Sequence, residues 1–586
     1  MSGNTNFGDS ALAKNTTGKW NTAIGAYSEL NNTTGISNTA LGINSLLTNT
    51  TGNYNTALGT AAMCDNISGD ANTSVGSNVL QHNTTGYNNV AIGVSALLNN
   101  TTGFANVAVG VEALLSNTNG QQNTAVGHNA LKNLTAVGSA AQENTAVGAR
   151  SLENTTTGLS NTAVGRSAMR WNQTGTYNAA LGAYALARNE TGGSNTAVGY
   201  GAMQFNNVNG NNTAIGFNTL GGAYAQASNI ETIGETFTYG CFNVAVGHQA
   251  MSKNSYGCNN VAVGYNSMQN GVTGQFNVGI GVNTLQLNTT GTQNTAVGTN
   301  ALQNNTSNDN TAIGYNSMRA STTGTQNTAV GLSALGSNTS GQNNSAFGHQ
   351  ALLINTIGFA NVAVGTGALG YNNGSQNTAV GLQTGYTGFG SQNTFLGYGA
   401  GGGNITNIPS FNGVNGSFNT FIGYNTGRTG ETLGITGSNN TCLGANAMLS
   451  GFNASNEIVL GDPSINMLRC QVTTITGLSD RRDKKDIQKL NAGITFITQL
   501  NPVSFTWNTR DGGKIGIHDT GFIAQDLKQV QIDTGVHIPG LVYEANPEKM
   551  EASYGKLLPV LVEAIQDLKR EVDVLRKDVD DLKKNK

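Results

Sequence analysis

Charge is scarce in this chain: 10% of its 586 residues are Asp, Glu, Lys or Arg, and the formal net charge is −3. A surface without cationic excess gives no electrostatic footprint for nucleic acid or an anionic membrane, so neither is expected as a partner. Long apolar runs are missing too. No stretch approaches the length that spans a bilayer, and residues 1–20 lack the apolar segment of a signal peptide. Membrane insertion is therefore not expected, and synthesis in a cytoplasm is. The five cysteines (Cys64, Cys241, Cys258, Cys442 and Cys470) are scattered and lack the paired spacing of metal ligands. They read as reduced packing thiols. The six histidines are equally dispersed, and no metal or other cofactor is expected.

The charges that do occur are unevenly placed. Residues 479–586 carry 17 Lys+Arg and 17 Asp+Glu, against 11 and 14 in the preceding 478 residues. This composition break is the sharpest domain boundary in the chain.

Upstream of it the sequence is rich in Asn, Thr and Gly and repeats itself. The 80 glycines follow neither the every-third pattern of collagen nor the irregular spacing of a disordered segment. Instead a unit N-T-A-V-G-x-x-A-L-x-x-N-T-T-G-x-x recurs, with anchor glycines at Gly8, Gly25, Gly42, Gly59, Gly76, Gly93, Gly110 and Gly127, 17 residues apart. After two short units at Gly138 and Gly148, the step resumes at Gly165 and runs with slips to Gly397. Looser copies end at Gly423, Gly444 and Gly461.

Each phase of the repeat has a physical reading. The residue before the anchor is aliphatic (Ile24, Leu41, Leu58, Val75) and the one before that is small (Ala23, Ala40, Ala57). Neighbours on a strand face opposite ways. The pattern therefore predicts a strand buried on both faces, one inside a coil and one against a close neighbour. The anchor glycine and a second one ten residues on (Gly35, Gly52, Gly69) are expected to supply positive φ at tight corners. The recurrent Asn four before the anchor (Asn21, Asn38, Asn55) is expected to stack into a hydrogen-bonded ladder, and Leu97, Leu114, Met169 and Leu186 to fill the core. The fold expected is mainly β: a β-solenoid of 17-residue coils, each stable only by stacking. With about 28 coils at roughly 4.8 Å per step, it is on the order of 130 Å long. The N-T-A-V-G unit also resembles the head repeats of trimeric bacterial autotransporter adhesins, left-handed β-rolls packed as trimers. Those repeats are shorter, and the secretion signal and membrane anchor of that family are not seen here.

The shaft is assigned to residues 1–397 and an irregular distal region to 398–478. Near the end of the repeats the small position becomes aromatic at Phe395 and Phe421, and insertions such as 401–417 appear. Loops and exposed aromatics at such a tip are where a receptor contact is expected; a tapering end of the fibre is the equal alternative.

Residues 479–586 read as a mixed α/β module. It opens with S-D-R-R-D-K-K-D-I (479–487) and continues with N-P-V-S-F-T-W (501–507) and G-F-I-A-Q-D-L (521–527). It closes with Y-G-K-L-L-P-V-L-V-E-A-I-Q-D-L (554–568). Its last stretch, about 556–584, places Leu561, Ile565, Leu568, Val572, Leu575, Val579 and Leu582 in alternating steps of four and three. Such a heptad seam needs a partner helix and permits two or three strands.

In this order the segments resemble the C-terminal intramolecular chaperone of phage endosialidase tailspikes and related fibres. The resemblance favours a homotrimer. It also implies self-cleavage just before a serine assisted by a lysine, which falls on Leu478–Ser479 with Ser479 and Lys484 as the reacting pair. Asp480 and Arg482 match as positioning or ion-pair residues. Asp483 departs from the apolar residue that relatives usually carry. Its charge favours a protonated amine on Lys484 and would weaken the base; Lys485 is a second candidate amine. Burial in an assembled trimer, beside Arg481, Arg482 and Lys485, works the other way and favours the neutral amine.

The function expected is a structural, trimeric viral or phage fibre for host attachment or surface decoration. It is made in the host cytoplasm and carried on the virion surface. Its partners are its own copies, a host surface receptor or glycan, and a virion base protein. The repeat begins at once, with Asn4 and Gly8 in register, so docking at the base falls to the first coils or to another protein. Three alternatives stand beside it. A non-viral surface adhesin could keep the trimerisation domain uncut. A glycan depolymerase needs paired carboxylates, and Glu457 and Asp462 are isolated. An ice-binding solenoid would use its Thr rows.

Overall fold

A computed structural model describes residues 3–135, 142–221, 240–402, 413–427, 434–465, 468–469, 479–509, 515–544 and 550–585. The chain divides into two units, 1–373 and 374–586.

The first unit is a parallel β-solenoid. Strands β1 (Thr5–Phe7), β2 (Thr22–Ile24), β3 (Thr39–Leu41) and their successors to β21 (Val362–Val364) are three residues long, one per coil. They pair in strict phase: Thr22 with Thr39, Ala23 with Ala40, Ile24 with Leu41. Where the spacing departs from 17, the phase survives. Thr124 pairs with Thr145, so the two short units make one longer coil, with Gly138 outside the described residues. Thr213 pairs with Val244 across the longest excursion. The repeat strands number 26 among the described residues, against the expected 28.

The alternation is resolved in one sense. The alanines point into the coil and are fully buried (Ala23, Ala40, Ala57), as are Leu46, Leu97, Leu114 and Met169 four residues after the anchor. The bulky aliphatic row lies on the outer face: Leu41 is 43% exposed, and Val75, Ile92 and Ile280 are exposed too.

Asparagines close the polar account inside. The Asn38 amide N–H donates to Asn21 Oδ1 (2.9 Å) while Asn38 Nδ2 donates to the Gly52 carbonyl (2.9 Å). The motif repeats one coil later at Asn55 (3.0 and 2.7 Å). A second buried ladder, not anticipated, runs through Asn49, Asn66, Asn83 and Asn100, each Nδ2 donating to the previous Oδ1 (2.8–3.2 Å). Buried amide groups left unpaired would each cost about 1–3 kcal/mol, so these ladders make a narrow, Asn-filled coil affordable.

The glycine expectation needs correcting. The anchors do take positive φ (Gly25 +130°, Gly42 +139°). The second set does not: Gly52 is required by close approach, because a Cβ there would sit 2.5 Å from Asn49 Oδ1 and from the Gly69 carbonyl oxygen. The left-handed corners fall instead on non-glycine residues such as Asn44 (φ 58°), Leu46 (φ 50°) and Tyr54 (φ 60°).

The second unit contains further repeat strands, Thr378–Val380, Thr394–Leu396, Thr420–Ile422, Thr441–Leu443 and Ile458–Leu460. Phe395 and Phe421 are buried inside their coils and do not form an exposed tip surface. The unit also holds the C-terminal module: helices α1 (Ile494–Ile497), α2 (Ala524–Thr534) and α3 (Leu557–Lys584), and an antiparallel hairpin of Val503–Asn508 with Ile515–Gly521. Ala492, Phe496, Leu527, Val530, Ile538, Leu541, Leu557 and Val560 form its core. Among the described residues no helix is long and apolar enough to cross a membrane.

Candidate functional site

The module opens on a single tight turn. Asp480 accepts a hydrogen bond from the Arg482 amide (2.8 Å) and so caps the short 3-10 turn Arg481–Asp483. The Arg482 guanidinium closes back on the same carboxylate (Nε at 3.1 Å, Nη2 at 2.5 Å). That bidentate pair holds the Asp480 carboxyl below its ordinary range and Arg482 above its own.

The turn reverses the chain so that residue 484 returns over residue 479, and Lys484 Nζ donates to Ser479 Oγ at 2.5 Å. A hydroxyl and an amine are thus in contact, with the neighbouring ion pair bracing the turn between them. Residues 479–490 are all exposed, so in the single chain this pair stands in water. Among the described residues no ion pair joins Asp483 or Lys485 to the pair. Leu478, the residue on the other side of the expected cut, lies outside the described residues.

The final helix has two differently used faces. Leu557, Val560 and Ala564 are buried in the module, while Glu563 binds Lys489 (3.1 Å) and Asp567 accepts from the Ile494 amide (3.3 Å). The seven seam residues, Leu561, Ile565, Leu568, Val572, Leu575, Val579 and Leu582, are all exposed, Leu582 by 69%. An apolar stripe along one face of a helix is stable in water only when covered.

Glu457 and Asp462 are each engaged locally, Glu457 by Ser450 (3.1 Å) and Asp462 by Ser464. No group of three or more metal-ligating side chains occurs among the described residues.

Sequence reasoning missed one pairing. Cys241 and Cys258, read as isolated thiols, lie side by side in neighbouring coils, Sγ to Sγ 3.3 Å. Their common phase, six residues before the anchors Gly247 and Gly264, was the available signal.

Residues 479–537 match a peptidase family model described as chaperone of endosialidase. The match begins at the serine of the turn. The chain is thus a β-solenoid followed by a segment similar to the chaperone of endosialidase. No curated protein and no solved structure matches the chain.

Proposed function

We propose that this protein is a homotrimeric viral or phage fibre, assembled by its C-terminal module and freed from it by one self-inflicted cut at Leu478–Ser479. The observation that carries the reading is the Lys484–Ser479 contact at the first residue of the chaperone match.

Assembly follows from two uncovered apolar surfaces. The heptad seam of α3 requires partner helices, and copies of the same chain offer an identical seam in parallel register. The aliphatic row on the outer face of the coils (Leu41, Val75, Ile92) then meets its equivalents in the other chains. The distal loops of residues 398–478 are left to meet a host receptor.

The cut uses the turn. As Ser479 Oγ attacks the Leu478 carbonyl carbon, Lys484 takes the hydroxyl proton and delivers it to the amide nitrogen as the C–N bond breaks. Acyl transfer to Oγ gives an ester, and water hydrolyses it, leaving a carboxylate on 478 and a free amine on 479. Lysine must be neutral to accept that proton. In the single chain Lys484 Nζ donates to Ser479 Oγ; burial between assembled chains is what favours a neutral amine there. Cleavage therefore waits for assembly.

The test is a denaturing gel of the expressed full chain beside Ser479→Ala and Lys484→Met. The wild type is expected to split into a large fragment and a small one beginning at Ser479, with Ser479→Ala uncut and Lys484→Met slowed by at least about 100-fold, the scale of a lost general base. An intact wild type in a correctly assembled trimer would reduce the module to a permanent clamp, as in an uncleaved surface adhesin.

A further inference from the structure

The repeat stacks each phase of the coil into a column, and the column six residues before the anchor is a contact column. In it Tyr87 and Phe104 stack with ring centroids 4.7 Å apart. Serines follow one another, the Ser375 amide donating to Ser391 Oγ (3.0 Å) and the Ser391 amide to Ser417 Oγ (3.1 Å). Cys241 and Cys258 occupy the same column in adjacent coils. The Cys241 amide donates to Cys258 Sγ (3.1 Å), and the two sulfurs are 3.3 Å apart. Both side chains are partly exposed. Backbones paired in parallel run about 4.8 Å apart, inside the Cα separation that a disulfide spans without backbone movement.

We infer that Cys241 and Cys258 are a modification site: an intrachain, inter-coil disulfide that forms when the folded fibre meets a low-molecular-weight disulfide outside a reducing cytoplasm. One thiolate attacks a sulfur of the small disulfide, giving a mixed disulfide and releasing one small thiol. The second cysteine, deprotonated, attacks the protein sulfur of that mixed disulfide, closing the Cys241–Cys258 bond and releasing the second small thiol. Two protein thiols are oxidised and one small disulfide is reduced to two thiols, so the exchange needs no other oxidant.

The other described cysteines contrast with the pair. Burial pushes the Cys64 thiol up to about 11 and the Cys442 thiol up to about 12, and among the described residues no contact to a second cysteine is seen at either. The placement also has a structural use. The strand at Val244–Val246 closes the coil with the longest excursion, 31 residues from Thr213 to Val244. A covalent bond three residues before that strand ties the returning chain to the regular coil above it.

Full chain purified with reductant, then moved into glutathione disulfide, is examined by thiol titration and by mass mapping of unreduced peptides. The expected result is a fall in titratable thiols from the five of the sequence to three, with one linked peptide pair joining Cys241 to Cys258 in one chain. Cys241→Ser and Cys258→Ser should each leave a glutathione on the remaining cysteine; serine is already accommodated elsewhere in this column. The proposal is overturned if both thiols stay fully alkylatable in the folded wild type. It is equally overturned if each carries its own glutathione, or if the links join different chains.

Discussion

Glu29 occupies the interior position that Leu46 and Met63 fill in the next coils, and it is fully buried. Its Oε1 accepts from Asn38 Nδ2 (2.9 Å) and its Oε2 has no partner. Burial raises the carboxyl from its ordinary 4.5 to about 7, the Asn38 hydrogen bond opposing only in part. Because the folded state holds this proton more tightly than the unfolded chain, the stabilising effect is complete below about 4.5. It fades as pH rises through about 7, for a total of about 3 kcal/mol. The first coils should therefore be measurably weaker at pH 8 than at pH 5. Glu29→Leu should restore amide-exchange protection in residues 22–41 at pH 8 and remove the pH dependence; an unchanged dependence in that variant would place its source elsewhere. At this scale the sequence is legible wherever one side chain has one job, as with the Ala and Leu phases. It misled at Gly52, where the need is for space. It was silent on Asn49 and Asn66, whose phase lies among other Asn and Thr residues of similar polarity.

Single coils show how the repeat absorbs variation. In most coils a small residue two before the anchor faces Leu or Met four after it. At Phe395 and Phe421 the small residue is an aromatic, and the facing position is Gly401 and Gly427, where an added Cβ would run into the ring. The exchange conserves interior volume, so these aromatics are core and not receptor contacts. Gly427 has φ 67°, a conformation that Leu46 already adopts at the same phase, so leucine is barred there by the ring alone. Phe421→Ala should cost about 3–5 kcal/mol through its cavity, and Gly427→Leu should be destabilising by collision. The double variant, which rebuilds the common coil, should recover most of both losses in a double-mutant cycle read by chemical denaturation. Additive losses would mean that the two positions do not share one space. At the candidate site, Ser479 and Lys484 were named from the family resemblance, and the structure places the two side chains in contact. The turn that joins them rests on the Asp480 cap and the Arg482 pair. What sequence could not give is the exposure of the pair in the single chain; its burial belongs to the proposed assembly.

Within one chain most coils contact neighbours about 17 residues away and the longest step among the described residues is 31, so a shaft can grow by local steps and has little need of help to form its own coils. Between chains the difficulty is different. A surface that repeats every coil looks nearly the same after a slip of one coil, about 4.8 Å, so three shafts placed side by side have many registers of similar stability. The seam of α3 repeats over a much shorter span and ends in the charged run 576–586, which lets it fix one register before the shafts zip together. Under the proposed assembly, the register would then be held along the whole length and the clamp could leave. Denatured Ser479→Ala chain, still carrying its module, should then refold to a single species of three-chain mass by sedimentation. The cleaved shaft 1–478, denatured and returned to the same buffer, should give a spread of masses and aggregate. Leu568→Lys with Leu575→Lys in the uncut chain should reproduce the failure of the cleaved shaft. If shaft 1–478 regained one three-chain species as readily as the uncut chain, its coil-to-coil differences, such as the excursion after Thr213 and the Phe395 and Phe421 coils, would be enough to set register. The seam would then serve to raise the local concentration of chains and nothing more.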